Sequence, residues 1–186
     1  MDGAVELTPG FSPADEAYAW ARALKENVPW TQPVVRLFGR DVPSPRLAAW
    51  YGDPDAVYTY SGLCNEPLPW SGPLQTIRSR VEAACGERFN SVLVNLYRDG
   101  RDAMGWHSDD EAELDPEAAI ASVSLGETRR FRLQNKRIGH RRIEIPLTHG
   151  SLLIMRSPMQ RLWRHSVPRE SGVRGPRINL TFRSIR

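Results

Sequence analysis

Residues 177–183 read Arg177-Ile178-Asn179-Leu180-Thr181-Phe182-Arg183 and alternate polar with apolar side chains throughout. Because successive side chains of a β-strand point to opposite faces, this pattern predicts a strand with one apolar and one wholly polar face. The apolar face is expected to pack into a core. The polar face, which carries two arginines, requires either open water or an enclosed polar ligand.

Strand patterns also dominate the sequence upstream of this segment. Short apolar or alternating runs, separated by turn signals such as Asp99-Gly100, occupy residues 91–97, 120–125, 130–133, 143–147 and 151–155. Many short strands without intervening helices predict an antiparallel sandwich or barrel. The fold class is therefore expected to be mainly β with supporting helices, and the cupin-like jelly roll is a common form that holds a metal in its mouth.

Two helices are predicted beside the strands. The first has Ser12 as its N-cap and Pro13 in its first turn, and it runs to about Lys25. The second covers residues 72–85 and is stopped by Gly86. Its apolar residues recur at helical spacing: Leu74, Ile77, Val81 and Ala84. Both helices are expected to brace a sheet.

Length and composition indicate a globular protein with one core. The chain has 186 residues, of which 40% are hydrophobic and 25% are charged. No run approaches the roughly 18 apolar residues of a membrane span, and the first residues lack the pattern of a secretory signal. We therefore expect a cytoplasmic protein. Its two cysteines, Cys64 and Cys85, are expected to be small buried residues.

Charge is distributed unevenly along the chain. Residues 1–128 carry 10 Lys and Arg against 20 Asp and Glu, a net charge of −10, whereas residues 129–186 carry 15 against 2, a net charge of +13. An arginine-rich half is the expected footprint of a polyanionic partner such as nucleic acid. The alternative is a solvated basic face that folds beside the acidic half.

A metal site is suggested by three residues. His107 and Asp109 are two positions apart, so both project to the same side of an extended segment and can bind one ion. His165 can supply the third ligand. Two imidazoles and one carboxylate on one face of an iron leave positions open for a co-substrate and oxygen. The other histidines, His140 and His149, are expected at a surface turn and a strand end.

Such an iron site needs two electrons for oxygen cleavage, and a 2-oxo acid can supply them as it loses carbon dioxide. A co-substrate with a second carboxylate needs a fixed cation at its far end, for which the fork of an arginine is the best match. Arg177 is placed to be that cation. Arg183 on the same strand face, with Asn95 and Tyr97 on one face of another strand, can hydrogen-bond the rest of the molecule.

Together these residues resemble the AlkB family of iron- and 2-oxoglutarate-dependent dioxygenases, and in particular its alkylation-repair members. The resemblance covers about residues 34–183. It rests on ordered motifs: Pro45-Arg46, Trp50-Tyr51-Gly52, Tyr58-Thr59-Tyr60-Ser61, Asn95-x-Tyr97, His107-x-Asp109-Asp110-Glu111, His149-Gly150-Ser151, His165 and Arg177-x-Asn179-x-Thr181-x-Arg183.

The resemblance implies a double-stranded β-helix with Fe(II) and the co-substrates 2-oxoglutarate and O2. It implies that the catalytic residues His107, Asp109 and His165 bind the metal. The residues implied for 2-oxoglutarate are Asn95, Tyr97, Arg177, Asn179 and Arg183. It also implies a single dioxygenase domain over residues 1–186, with an N-terminal helix and a nucleotide-recognition segment in about 1–72 and the β-helix core in about 90–186.

The implied reaction is oxidative demethylation of an N-alkylated base, with succinate, CO2 and an aldehyde as products. The base must be flipped or single-stranded for the metal to reach it. By family position Tyr60 would stack on the base and Asp110, with Glu111 beside it, would contact the polar edge of the base. The alternative for Asp110 and Glu111 is a solvated pair. Phe38, which precedes Gly39-Arg40, resembles a wedge that fills the gap left by an extruded base, or else it is a core residue.

Two other functions remain open from the sequence. The same site could act on a protein side chain, or the chain could be a damage-binding module whose metal is structural. The expected partner is nucleic acid, namely alkylated DNA with RNA as an open alternative, and we expect no membrane association and a monomer. The basic run at Arg137, Arg141 and Arg142 either holds phosphates or covers a turn.

Overall fold

The computed structural model describes residues 5–37, 39–60 and 63–186, without the side chains of residues 35–37, 58–60 and 63–65. Its elements in chain order are β1 (Val5–Thr8), α1 (Ala14–Asn27), β2 (Val34–Leu37), β3 (Arg40–Pro43), β4 (Leu47–Gly52), β5 (Tyr58–Tyr60), β6 (Leu63–Asn65), α2 (Gly72–Cys85), β7 (Ser91–Tyr97), β8 (Met104–His107), β9 (Ile120–Gly126), β10 (Arg129–Asn135), β11 (Arg142–Leu147), β12 (Ser151–Met155), α3 (Met159–Leu162), β13 (Trp163–Val167) and β14 (Arg177–Arg183).

Two antiparallel sheets form the body of the fold. The larger has six strands in the order β1-β12-β9-β14-β7-β4, and the smaller has four in the order β11-β10-β13-β8. Two short hairpins, β2-β3 and β5-β6, stand apart from them. From β7 to β14 the chain crosses repeatedly between the two sheets, as in a jelly roll, and only β10 and β11 are consecutive strands of the same sheet. The prediction of a mainly β, jelly-roll fold with supporting helices is confirmed.

The strand β14 lies at the centre of the larger sheet, between β7 and β9. Its apolar side chains, Ile178, Leu180 and Phe182, are buried in a cluster with residues of α1 and α2. Its polar side chains face the other way, toward the space between the two sheets, where they line a cavity. The alternation in the sequence therefore predicted both faces of this strand correctly.

The two long helices cover the outer face of the larger sheet, as expected. In α2 the buried residues are Leu74, Ile77, Val81 and Cys85, so Cys85 rather than Ala84 continues the apolar stripe. Gly86 ends this helix with a left-handed backbone, φ 76°. Burial raises the pKa of the Cys85 thiol. The side chain of Cys64 lies outside the description.

The predicted start of the first helix was wrong. α1 begins at Ala14, with Pro13 in the N-cap position and no side chain capping the helix, and it ends at Asn27. The hydroxyl of Ser12 instead donates a hydrogen bond of 2.9 Å to the carboxylate of Glu16. Glu16 is also paired with Arg80 of α2, so a contact between the helices takes the group that a local cap would have used.

None of the helices in the described ranges combines the length and apolar character needed to cross a bilayer. The assignment of residues 1–186 to one dioxygenase domain, with its two subdivisions, stays a prediction.

Candidate active site

The register of three neighbouring strands brings the polar residues of the larger sheet together. In this register Arg177 of β14 lies opposite Tyr97 of β7, and Asn179 lies opposite Asn95. On the other side, Asn179 faces Ser124 of β9. All five residues have 8% or less of their surface exposed. Four of them, Asn95, Tyr97, Arg177 and Asn179, line one wall of a cavity of about 220 Å³ between the two sheets.

The three proposed metal ligands lie at the same cavity. His165 of β13 is paired directly with His107 at the end of β8, and Asp109 follows two residues after that strand. The ligand atoms of the three residues all lie within 4.8 Å of one another. Nε2 of His107 is 3.8 Å from Asp109 Oδ1, and Nε2 of His165 is 3.9 Å from Asp109 Oδ2. These separations suit three ligands around one ion.

Hydrogen bonding and burial hold the two imidazoles in a metal-binding form. Nδ1 of His107 lies 2.9 Å from the carbonyl oxygen of Gly105, which can only accept, so Nδ1 is the donor of this hydrogen bond and Nε2 is the nitrogen left for a metal. Burial lowers the pKa of His165 to about 3, so its ring is neutral at physiological pH. Nδ1 of His165 has no hydrogen-bond partner among the described residues.

Asp109 forms a buried ion pair with Arg183. The Nη2 group of Arg183 donates a hydrogen bond of 2.6 Å to Asp109 Oδ1, and both side chains are almost fully buried. Burial alone would raise the pKa of Asp109, but Arg183 and the two imidazoles outweigh burial and lower it. Asp109 is therefore ionised, as a metal ligand must be. The structure thus places Arg183, assigned to 2-oxoglutarate from the sequence, against a proposed metal ligand.

Arg177 is an almost fully buried cation with spare donors. Its Nη2 donates to Ser124 Oγ at 2.9 Å, and its guanidinium carbon lies 5.3 Å from the ring centroid of Tyr97. Its Nε and Nη1 have no hydrogen-bond partner among the described residues. Burial lowers the pKa of Arg177 to about 10, which still leaves it charged at pH 7. A buried guanidinium with two unpartnered nitrogens is expected to meet an anion.

The residues of this cavity fit the two groups that the resemblance implies, Fe(II) and 2-oxoglutarate. Two imidazole nitrogens and one carboxylate are a suitable face for Fe(II), and they leave the remaining positions to other ligands. The cavity also holds a fixed cation, Arg177, two of whose nitrogens have no partner in the described part of the chain. A dicarboxylate with one chelating end and one distal carboxylate satisfies both requirements.

Two further networks on this wall went unassigned in the sequence. Nε of Arg46, which precedes β4, donates to Asn95 Oδ1 at 2.7 Å, and its Nη1 donates to Ser44 Oγ at 2.9 Å. Arg46 occurs in a family motif, but nothing in the sequence indicated its role. It lies outside any alternating strand, and its partner Asn95 is 49 residues away.

The second network joins two residues of β14 to a serine of β9. Asn179 Nδ2 donates to Ser122 Oγ at 2.7 Å, and Thr181 Oγ1 donates to Asn179 Oδ1 at 3.1 Å. Ser122 and Ser124 alternate with the apolar residues of their strand, so the same period-2 pattern that identified β14 could have identified them.

The residues predicted to contact the base do not all lie at the cavity. Glu111 lines the cavity, whereas Asp110 is exposed and pairs with Lys136 at 3.2 Å. Arg40 is an exposed residue of the β2-β3 hairpin. Phe38 lies outside the described residues, and so does the side chain of Tyr60, although the backbone of Tyr60 belongs to β5. The choice between wedge and core for Phe38 therefore stays open.

Comparison with known proteins gives the family. The model of the 2OG-Fe(II) oxygenase superfamily matches residues 4–183. The chain is 43% identical over 188 aligned positions to human alpha-ketoglutarate-dependent dioxygenase alkB homolog 3, covering 96% of this chain and 65% of that protein. It is 42% identical over 183 positions to human DNA oxidative demethylase ALKBH2, covering 95% of this chain and 70% of that protein.

A solved structure agrees with the fold. The OsALKBH1 structure superposes with a TM-score of 0.69 over 99% of each chain, at 20% sequence identity. The chain spans about 65% of the length of the alkB homolog 3 proteins that it matches. The match of the family model over nearly the whole chain, and the identity to ALKBH2, show that this protein belongs to the AlkB family of the 2OG-Fe(II) oxygenase superfamily.

Proposed function

We propose that this protein removes alkyl groups from N-alkylated bases in nucleic acid by oxidation that depends on Fe(II), 2-oxoglutarate and O2. One observation carries the proposal: a single enclosed cavity combines the His107, Asp109 and His165 cluster with Arg177, whose free donors match a distal carboxylate. The names of the relatives, an alpha-ketoglutarate-dependent dioxygenase and a DNA oxidative demethylase, support the same chemistry.

The cavity residues form two groups, one that binds the metal and one that binds the distal carboxylate of the co-substrate. His107, Asp109 and His165 hold the metal, and Arg183 keeps Asp109 ionised and oriented through its 2.6 Å hydrogen bond. Arg177 holds the distal carboxylate. When bound, Fe(II) with 2-oxoglutarate and O2 supplies the oxidation of the N-alkyl carbon, with succinate, CO2 and an aldehyde as products.

The wall between these ends fixes the orientation of the co-substrate. The amide of Asn95 is held by Arg46, and the amide of Asn179 is held by Ser122, so both side chains are oriented before a ligand arrives. Phe131, whose ring centroid lies 5.1 Å from that of His165, packs an apolar ring against this imidazole and would shield that side of a bound metal from water.

Nucleic acid as the partner is supported by a basic surface beside the metal-binding segment. Trp106 precedes His107 and is 37% exposed, and the guanidinium of Arg164 lies 5.5 Å from its ring centroid. Three exposed arginines follow β10: Arg137 and Arg141 in the turn before β11, and Arg142 at the start of β11. An exposed aromatic ring among cations suits base stacking and phosphate contacts. A cytoplasmic location and a monomeric state stay predictions from the sequence.

The proposal is tested by loading the protein anaerobically with Fe(II) and 2-oxoglutarate and then exposing it to O2 with methylated substrates. The panel contains methylated single-stranded and double-stranded DNA and RNA and a methylated peptide, with products identified by mass. We expect demethylated oligonucleotide together with succinate. Turnover of the peptide alone would favour a protein substrate. A His107→Ala variant that keeps full biological function would favour a binding module.

A further inference from the structure

Arg129, the first residue of β10, is buried as deeply as Arg177. Each exposes 1% of its surface, although arginine is almost never fully buried without partners. Arg129 has no place in the chemistry described above. Its guanidinium carbon nevertheless lies 5.5 Å from the ring centroid of Tyr97, the ring that also lies 5.3 Å from the guanidinium carbon of Arg177. One tyrosine ring therefore stands in contact with both buried cations.

The hydrogen bonds of Arg129 join two loops behind this ring. Its Nη1 donates to the carbonyl oxygen of Asp99 at 3.2 Å, and its Nη2 donates to that of Asp102 at 2.8 Å. Nη2 also donates to the carbonyl oxygen of Pro168 at 2.6 Å, and Nε donates to Glu170 Oε1 at 3.1 Å. The guanidinium thus ties the turn that follows Tyr97 to the segment that follows β13.

That second segment, residues 168–176, is called the strap because it runs from the strand carrying His165 to the strand carrying Arg177. Its fit against the turn is close. Gly100 N donates to Val173 O at 3.0 Å, Glu170 N donates to Gly100 O at 2.8 Å, and a Cβ on Gly100 would lie 1.8 Å from Glu170 O. The position of the strap is therefore set by the groups that Arg129 holds together.

Arg177 depends on its surroundings for its orientation. Of its three nitrogens, Nη2 donates to Ser124, and Nε and Nη1 have no partner among the described residues. The ring of Tyr97 and the strap, which leads directly into Arg177, further constrain the guanidinium. A fork that receives a carboxylate must be held within a fraction of an ångström of its place.

We propose that Arg129 is a positioning residue of the 2-oxoglutarate site: by holding Tyr97 and the strap together, it keeps the Arg177 fork aimed at the distal carboxylate. The inference rests on the proposed function, because the binding of that carboxylate by Arg177 is part of it. A lysine at position 129 keeps the positive charge but cannot reproduce four hydrogen bonds in the fixed geometry of a guanidinium. The Arg129→Lys variant therefore separates positioning from charge.

The test compares two ligands by calorimetry on the Mn(II)-loaded full chain. The first is 2-oxoglutarate. The second is 2-oxobutyrate, which has the same chelating end and no distal carboxylate. In Arg129→Lys we expect the Kd for 2-oxoglutarate to rise about tenfold and the Kd for 2-oxobutyrate to change by less than about twofold. The affinity for Mn(II) should stay as in the wild type.

The matched control is Arg130→Lys. Arg130 also pairs with Glu170, but its side chain is 41% exposed and, as the next residue of the strand, projects from the face opposite to Arg129, so this variant should bind both ligands as the wild type does. If Arg129→Lys does not fold, Glu170→Gln loosens the same guanidinium from the strap side and should show the same selective loss, although smaller.

Equal weakening of both ligands in Arg129→Lys would show general loosening of the fold and would overturn the inference. Unchanged binding of 2-oxoglutarate would overturn it as well. Failure of the proposed substrate gives a different result: methylated oligonucleotides would stay unreacted while the wild type still preferred 2-oxoglutarate over 2-oxobutyrate and Arg129→Lys still lost that preference.

Discussion

On the helix side of β14, Ile178, Leu180 and Phe182 pack into an apolar cluster, with exposed fractions of 3% or less. On the cavity side of the same seven residues, the polar side chains that include Arg177 and Arg183 are buried almost as deeply, with exposed fractions of 8% or less. The two faces share one backbone and nearly the same degree of burial. They differ only in the chemistry of their side chains.

This difference separates stability from binding within one strand. Burying an aliphatic or aromatic side chain stabilises the fold by about 1.5–3 kcal/mol, whereas burying a polar group without a full set of partners costs free energy. The helix side therefore stabilises the strand, and the cavity side leaves donors free for a ligand. Substitutions on the two faces should have separable effects.

The largest effect is expected at the metal. His165→Ala removes one of three ligands, so we expect turnover to fall by more than the 10–100-fold that is typical of an altered outer-shell contact. The free energy of unfolding of the metal-free protein should change little, because Nδ1 of this buried ring has no hydrogen-bond partner among the residues that the structure describes. Succinate formation measures turnover. His140→Ala, in an exposed turn, is the control, and comparable loss in that variant would contradict the assignment.

On the helix side, Leu180→Ala should lower the free energy of unfolding by about 2–5 kcal/mol, because Leu180 is fully buried and its removal leaves a cavity. Urea unfolding measures the change. Ile138 is 45% exposed, so the free energy of unfolding of Ile138→Ala should lie within about 0.5 kcal/mol of the wild-type value. Below its unfolding transition, Leu180→Ala should bind 2-oxoglutarate normally. A large loss of affinity would show that the two faces are coupled.

On the cavity side, Arg177→Met should raise the Kd for 2-oxoglutarate about a hundredfold, which corresponds to about 2.7 kcal/mol. The free energy of unfolding should stay the same or increase, because an apolar side chain replaces a buried cation whose partners are incomplete. Arg174→Met, at an exposed position of the strap, serves as the control. Affinity and stability lost together in Arg177→Met would mean that this arginine is structural.

The smallest effect concerns acid stability at the strap. Burial would raise the pKa of Glu170, but hydrogen bonds from the Arg130 backbone and from the side chains of Arg129 and Arg130 lower it. A carboxylate with a depressed folded pKa stabilises the fold above its unfolded pKa, near 4.5, and loses this contribution as the pH falls through the folded pKa.

The free energy of unfolding of Glu170→Gln should therefore be about 1 kcal/mol lower than that of the wild type at pH 7. This difference should narrow below about pH 4. Chemical unfolding at several pH values measures it. The control is Glu144→Gln, whose side chain is 45% exposed, and it should follow the wild-type profile. A constant difference between Glu170→Gln and the wild type at all pH values would contradict the role of the charge.

The sequence predicted the site residues whose placement depends on a single strand or extended segment. The alternation in residues 177–183 identified both faces of β14, and the spacing of His107 and Asp109 identified two of the three clustered residues. The pairing of His165 with His107 could not be read from spacing, because it depends on the register between β13 and β8.

The parts that the sequence did not reveal depend on long-range contacts. Arg129 reaches Pro168 across 39 positions, and no local pattern marks an arginine at the start of a strand as buried. The expected cap at Ser12 failed for a similar reason, since Glu16 of the same helix accepts its hydroxyl and pairs with Arg80 of α2. Local propensity is overridden wherever a distant partner offers a stronger contact.

The most direct test of the two-face account is the increase in melting temperature that Mn(II) and 2-oxoglutarate produce together in three proteins. A ligand that binds the folded state raises its melting temperature according to its affinity. We expect Leu180→Ala to start from a lower melting temperature and to show an increase close to that of the wild type. Arg177→Met should start near the wild-type value and lose most of the increase. A reduced increase in Leu180→Ala, or an undiminished one in Arg177→Met, would contradict the account.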